Sequence, residues 1–193
     1  EKCKDFCATS EASTVISGPM HWGVKYEPVS VLYYEYVNNL KIEDFGCIQH
    51  DEYKFLGASP DGIVVDASSN LYGRMVEIKN PTSRVIDGIP KEEYWVQMQL
   101  QMEVCDLNHC DFLETKFVEY SDSLEFYDDG SFNKSKDGCW KGIILHFLKD
   151  SATHYEYPPF NCGKHAYQIW ENKTIKAKEA EGYKWALNIY WKL

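Results

Sequence analysis

Asp61, Glu77 and Lys79 are the residues of this chain best suited to do chemistry together. Asp61 belongs to a Ser59-Pro60-Asp61-Gly62 corner, which is strong turn chemistry. Fifteen residues separate it from Glu77-Ile78-Lys79, in a run that reads as a strand. Alternation along a strand puts Glu77 and Lys79 on one face and Ile78 on the other. If the strand that follows Asp61 pairs with the strand that carries Glu77, two carboxylates and an ammonium converge. Carboxylates that close repel unless they share a proton or a cation. A hard divalent cation, Mg²⁺ or Mn²⁺, takes oxygen ligands of this kind. The Ile78 backbone carbonyl adds a further oxygen, and Lys79 stands where it could hold or deprotonate a water. The same residues also describe an ordinary salt-bridged surface, so the spacing alone leaves both readings open.

The supporting elements are partly legible. From Met20 to about Leu40, apolar residues recur at intervals of three and four, which predicts a helix. Pro28 either starts that helix late or bends it, and Glu27 then lies at its N-terminal end or on its inner face. A carboxylate there also has a bland role beside the helix dipole. Phe45–His50, Tyr53–Leu56, Ile63–Val65 and Arg74–Lys79 read as a meander of antiparallel strands. Pro90 to about Asp106 reads as a second helix. One stripe carries Tyr94, Gln97, Gln101 and Val104, and its neighbour carries Trp95, Met98, Met102 and Cys105. Gln97 and Gln101 share a face and Gln99 does not, so which glutamine meets the acids is open. Tyr94 and Trp95 are expected in the core. Cys110–Tyr120 and Trp140–Leu148 read as strands, 121–138 as a loop and 164–182 as a helix. Tyr183–Leu193 is open between helix and strand.

Composition bounds the function. The 193 residues are 44% hydrophobic and 26% charged, as in a globular chain. A net charge of −10 argues against a uniformly basic coat for nucleic acid. It leaves room for a local basic groove, or for acids neutralised by metal ions. Seven cysteines form no Cys-x-x-Cys pair and no zinc spacing, which points to a reducing, intracellular setting. The six histidines show no ligand spacing, and the lysines from Lys173 to Lys184 alternate with glutamates as on a solvated helix. No run approaches the ~18 apolar residues of a membrane span. The chain opens on Glu1 rather than methionine, which reads as a piece of something longer.

Four blocks occur in order: Gly23-x-x-x-Glu27-Pro28, Gly57-Ala58-Ser59-Pro60-Asp61-Gly62, Val76-Glu77-Ile78-Lys79-Asn80-Pro81, and Tyr94-x-x-Gln97-x-Gln99-x-x-Met102. With them the sequence resembles the YqaJ-like viral recombinases and phage lambda-type exonucleases, a branch of the PD-(D/E)XK nuclease superfamily, and a large-DNA-virus member in particular. The resemblance implies an α/β fold with a central mixed β-sheet flanked by helices, of restriction-endonuclease-like type. It implies a single nuclease domain over 1–193: a loose leading segment at 1–19, a catalytic core at 20–120, the loop at 121–138, and C-terminal strand and helix elements at 139–193. The activity implied is metal-dependent cleavage of double-stranded DNA from its ends, 5′-to-3′, in viral recombination or repair. Asp61 and Glu77 become ligands of a two-metal Mg²⁺ or Mn²⁺ site, with the Ile78 carbonyl beside them. Lys79 becomes the catalytic lysine, and Glu27 reaches the second metal or its waters. Gln97 orients the lysine or the attacking water, and Ser59 grips a terminal phosphate. A single-strand annealing protein and a second copy of the chain are the further partners implied. Two rival readings are an inactive DNA-binding or assembly module on the same fold, and a structure-specific endonuclease.

Overall fold

The computed structural model describes residues 18–193. The leading segment at 1–19, with Cys3 and Cys7, lies almost wholly outside the described residues. The chain runs α1 (Pro19–Asn38), β1 (Ile42–Glu43), β2 (Ile48–Gln49), β3 (Gly57–Ala58), β4 (Gly62–Val64), β5 (Met75–Lys79), α2 (Glu92–Cys105) and β6 (Cys110–Glu114). It continues with β7 (Val118–Glu119), α3 (Ser123–Asp128), β8 (Lys141–Lys149), β9 (Ala152–Glu156), α4 (Lys164–Ala180) and β10 (Lys184–Lys192). The fold is mixed α/β.

The first sheet has the order β1-β4-β5-β6. β4 lies antiparallel to both β1 and β5, while β5 and β6 run parallel, with α2 as their crossover. β5 is buried along nearly its whole length because both of its faces are covered. Val76 and Ile78 pack with Val64, Ile42, Leu40 and Tyr34 beneath the C-terminal half of α1. Glu77 and Lys79 point the other way, toward α2, as strand alternation requires.

A second sheet, β7-β10-β8-β9, is antiparallel throughout. Tyr26 and Val29, near the middle of α1, pack into it with Phe117, Ile144 and Trp191. One helix therefore reaches two cores, and Glu27 lies within the stretch that packs on the second one, on its exposed side. α1 ends at Asn39, whose left-handed backbone (φ 51°) returns an N–H to the Glu35 carbonyl.

Several elements depart from the sequence pattern for identifiable reasons. α1 runs through Pro28 rather than starting there. Tyr53–Leu56, expected as a strand, is the connection between β2 and β3. The His50 Nδ1 accepts the Glu52 and Tyr53 N–H groups at 3.0 and 3.1 Å and so folds the backbone into a turn. The 121–138 segment, expected as a loop, holds the short α3. Asp122 caps the Glu125 N–H, Glu125 returns a bond to the Ser121 N–H, and Phe126 is fully buried beneath them. Tyr183–Leu193 becomes a strand because β8 supplies eight register partners. Cys47, Cys105, Cys110, Cys139 and Cys162 are free thiols. No described helix is long and apolar enough to cross a membrane.

Gly142 marks the tightest fit in the second sheet, since a Cβ there would land on the Trp191 ring. Gly142→Ala should cost about 1–3 kcal/mol through overpacking. The check is a lowered urea midpoint with unchanged slope.

Candidate active site

The site forms where the β4–β5 ladder runs out. Backbone groups of β5 alternate in direction. Met75 N–H bonds to the His109 carbonyl, and the Lys79 carbonyl accepts from Thr115 N–H, so odd residues serve the β6 side. Even residues serve β4, where Gly62 is the register partner of Val76. Ile78 is next along that edge, but β4 begins only at Gly62. The Asp61 carboxylate completes the ladder by accepting the Ile78 N–H at Oδ2, 2.6 Å away. The Ser-Pro-Asp corner is thereby locked against the Glu-Ile-Lys strand, and the Ile78 carbonyl lies on the edge that Asp61 serves.

Glu77 is fully buried. Its Oε1 accepts from Lys79 Nζ and from Gln97 Nε2, the latter at 2.8 Å. Its Oε2 is also buried and has no hydrogen-bond partner among the described residues. A buried carboxylate oxygen without a partner is costly unless a water or a cation meets it. Lys79 Nζ also stands 5.2 Å from the Tyr94 ring centroid, so a cation–π contact fixes it from the α2 side.

The electrostatics show how crowded the acids are. Burial pushes the Asp61 carboxyl up to about 7; the Glu77 charge adds to this, the Ile78 N–H opposes it, Glu27 raises it and Lys79 lowers it. Glu27 lies in an open cleft with Ile78, Lys79 and Asn80. Solvent reaches its side chain, yet the cleft walls raise its carboxyl; Lys79 pulls it back, and Glu77 and Asp44 push it further up. Cys110, near Glu77, is pushed up to about 12 by burial first and by the Glu77 charge second. It is a protonated, inert thiol at neutral pH.

Two of the three glutamines on α2 serve this region. Gln97 meets Glu77, Gln101 donates to the Ser59 carbonyl at 3.3 Å, and Gln99 is exposed. Ser59 is exposed, and its backbone rather than its hydroxyl makes that bond. Trp95, expected in the core, is 53% exposed, because Met98, Gln101 and Val104 form the buried side of α2. Asn80, Thr115 and Ser30 were not singled out by their spacing. Two buried hydroxyls and the half-buried Asn80 amide form a polar cluster beside the site, and no local pattern announces a polar contact between residues 50 and 85 positions apart. Arg84, which joins the Glu114 carboxylate at 2.8 Å, was missed for the same reason.

These donors suit a hard divalent cation. Among the described residues, no three His, Cys, Asp or Glu side chains form a complete cage. Mg²⁺ seldom uses one. It is commonly held by one or two carboxylates, with waters and substrate phosphates completing the shell. The unpartnered Glu77 oxygen, the raised Asp61 carboxyl and the Ile78 carbonyl are oxygen donors of that type.

The fold and the site together define a class: a mixed sheet whose interrupted edge gathers two carboxylates and a lysine. The chain belongs to the YqaJ-like viral recombinase domain family, whose description matches residues 1–108. A mimivirus relative, the uncharacterized protein R354 of Acanthamoeba polyphaga mimivirus, is 38% identical over 207 aligned positions. That alignment covers 90% of this chain and 38% of R354, so the chain spans well under half the length of that relative. Among solved structures, an alkaline exonuclease from Laribacter hongkongensis is similar at 23% identity and a TM-score of 0.46. The same exonuclease in complex with dAMP gives 23% and 0.43. Each comparison covers 93% of this chain and 74% of the other.

The Asp61 position yields a pH prediction. Its carboxyl has an ordinary value of 3.8 and about 7 in the folded chain. A group raised by folding contributes its full stability below the ordinary value and loses it as pH rises through the folded value. The metal-free chain should therefore lose stability between pH 3.8 and about 7 more steeply than Asp61→Asn, as read by thermal melting. Equal slopes would remove Asp61 as the source.

Proposed function

We propose that this chain is the cleavage domain of a DNA nuclease that hydrolyses double-stranded DNA from its ends, 5′-to-3′, with Mg²⁺ or Mn²⁺. The observation that carries this reading is the buried Glu77 carboxylate. One of its oxygens is held by Lys79 and Gln97, and the other has no partner among the described residues, in a chain of the YqaJ-like family whose Asp61 feels the Glu77 charge.

Asp61, Glu77 and the Ile78 carbonyl would hold the cation, and Glu27 would meet a second one or its waters. When bound, such cations polarise the phosphate and lower the pKa of water. Lys79 orients the attacking water and receives or relays its proton. Gln97 fixes the Glu77 oxygen that Lys79 also uses, which keeps the carboxylate from rotating. Tyr94 limits the lysine from the far side. The attack forms a bond between water oxygen and phosphorus and breaks the bond to the 3′-oxygen, which takes up one proton as the attacking water gives one up. The products are a 5′-phosphate and a 3′-hydroxyl. Ser59, with an exposed side chain at the corner, would grip a terminal phosphate. Because the chain carries a net charge of −10, DNA binding should depend on these cations and weaken with added salt.

The test is linear duplex DNA with Mn²⁺, with and without EDTA. The expected result is degradation that EDTA stops. Lys79→Ala and Asp61→Ala should each lose about 10²–10⁴-fold in rate while keeping the native circular dichroism. Lys79→Ala protein that degrades DNA as fast as the parent overturns the reading. Closed circular DNA should resist; cutting it as readily as the linear form would favour an endonuclease.

A further inference from the structure

A hydrogen-bonded path links the residue after the lysine to the helix turn that bears Glu27. The Asn80 side-chain amide donates to Ser30 Oγ at 2.7 Å and to Thr115 Oγ1 at 2.6 Å. The two hydroxyls are themselves 2.6 Å apart. Ser30 Oγ then donates to the Tyr26 carbonyl at 3.2 Å. That carbonyl belongs to the peptide joining Tyr26 to Glu27. On the other side, the Thr115 N–H holds the Lys79 carbonyl at 3.0 Å.

One proton arrangement closes the cluster. Asn80 gives one N–H to each hydroxyl, Thr115 donates to Ser30, and Ser30 donates to Tyr26. Ser30 is fully buried and Thr115 is 3% exposed, so solvent offers these groups little alternative. The local helix needs such support. Pro28 has no N–H, so the Val24 carbonyl lacks its usual helical donor in the turn that carries Glu27.

We infer that Asn80 is a positioning residue, clamping α1 through Ser30 and Thr115 so that Glu27 is held in register with Lys79 and Glu77. This rests on the metal-dependent reading of the site given above. The clamp acts through Glu27, not by touching substrate.

The test measures Mn²⁺ binding by calorimetry without DNA, alongside cleavage and thermal melting. Asn80→Ala and Thr115→Val should weaken Mn²⁺ affinity about tenfold, the range for groups that orient metal ligands. Thr115→Ser keeps the hydroxyl and should restore parental affinity. In a Glu27→Gln background, Asn80→Ala should add no further loss. Folded Asn80→Ala with parental affinity overturns the inference, and so does an equal loss in the presence and absence of Glu27. If Asn80→Ala does not fold, the Thr115→Val and Thr115→Ser pair decides: equal affinities overturn the clamp, unequal ones support it. A parent chain that binds Mn²⁺ but leaves DNA intact defeats the nuclease reading alone. A parent that binds no Mn²⁺ defeats both.

Discussion

A carboxylate with no solvent exposure sits at the centre of this fold, and the surrounding architecture can be understood as its compensation. Removing Glu77 from water costs several kcal/mol unless neighbours replace the lost hydration. Lys79 and Gln97 do this for one oxygen, and among the described residues none does it for the other. The lysine comes from the same strand, two residues on, so strand alternation supplies it at no topological cost. The glutamine has to come from α2, so the parallel crossover that carries α2 over β5 is a condition of the site. The half that is left unmet is the part with chemical potential.

Asp61 solves a second problem with the same economy of parts. A strand edge that outlives its partner leaves an N–H exposed to the interior. Here β4 starts too late to meet Ile78, and the Asp61 side chain substitutes for the absent strand. Tied there, it cannot retreat from the Glu77 charge, and that charge adds to burial in raising its carboxyl. A cation would relieve both acids at once. The acidity of the whole chain is thus matched locally by an arrangement that favours binding positive charge.

α1 joins this centre to the second sheet. Its Tyr34 packs in the first core and its Tyr26 and Val29 in the second. A helix held at two places can carry a proline and still be placed accurately, provided the weakened turn is held from outside. The buried hydroxyls and the Asn80 amide supply that hold.

The division between chain and fold follows the range of the forces involved. Residue spacing put Glu77 and Lys79 on one face and Asp61 at a turn, because turn chemistry and strand alternation act within a few residues, and the β4–β5 pairing then brought them together. Spacing was enough to place α2, α4 and the strands β2, β4, β5, β6 and β8, though not β1, β3 or β9. It misread Tyr53–Leu56, whose aromatic alternation was overruled by the His50 ring capturing two N–H groups. It misread the polar 121–138 segment, where caps and one buried phenylalanine outweighed composition. It left Tyr183–Leu193 undecided, since only a partner strand could settle it. Which glutamine meets Glu77, why Glu77 keeps an unpartnered oxygen, and how Asn80 reaches Ser30 were decided by tertiary structure alone. Those contacts join residues far apart in the chain, and a buried polar group acquires its meaning only from what the fold brings beside it.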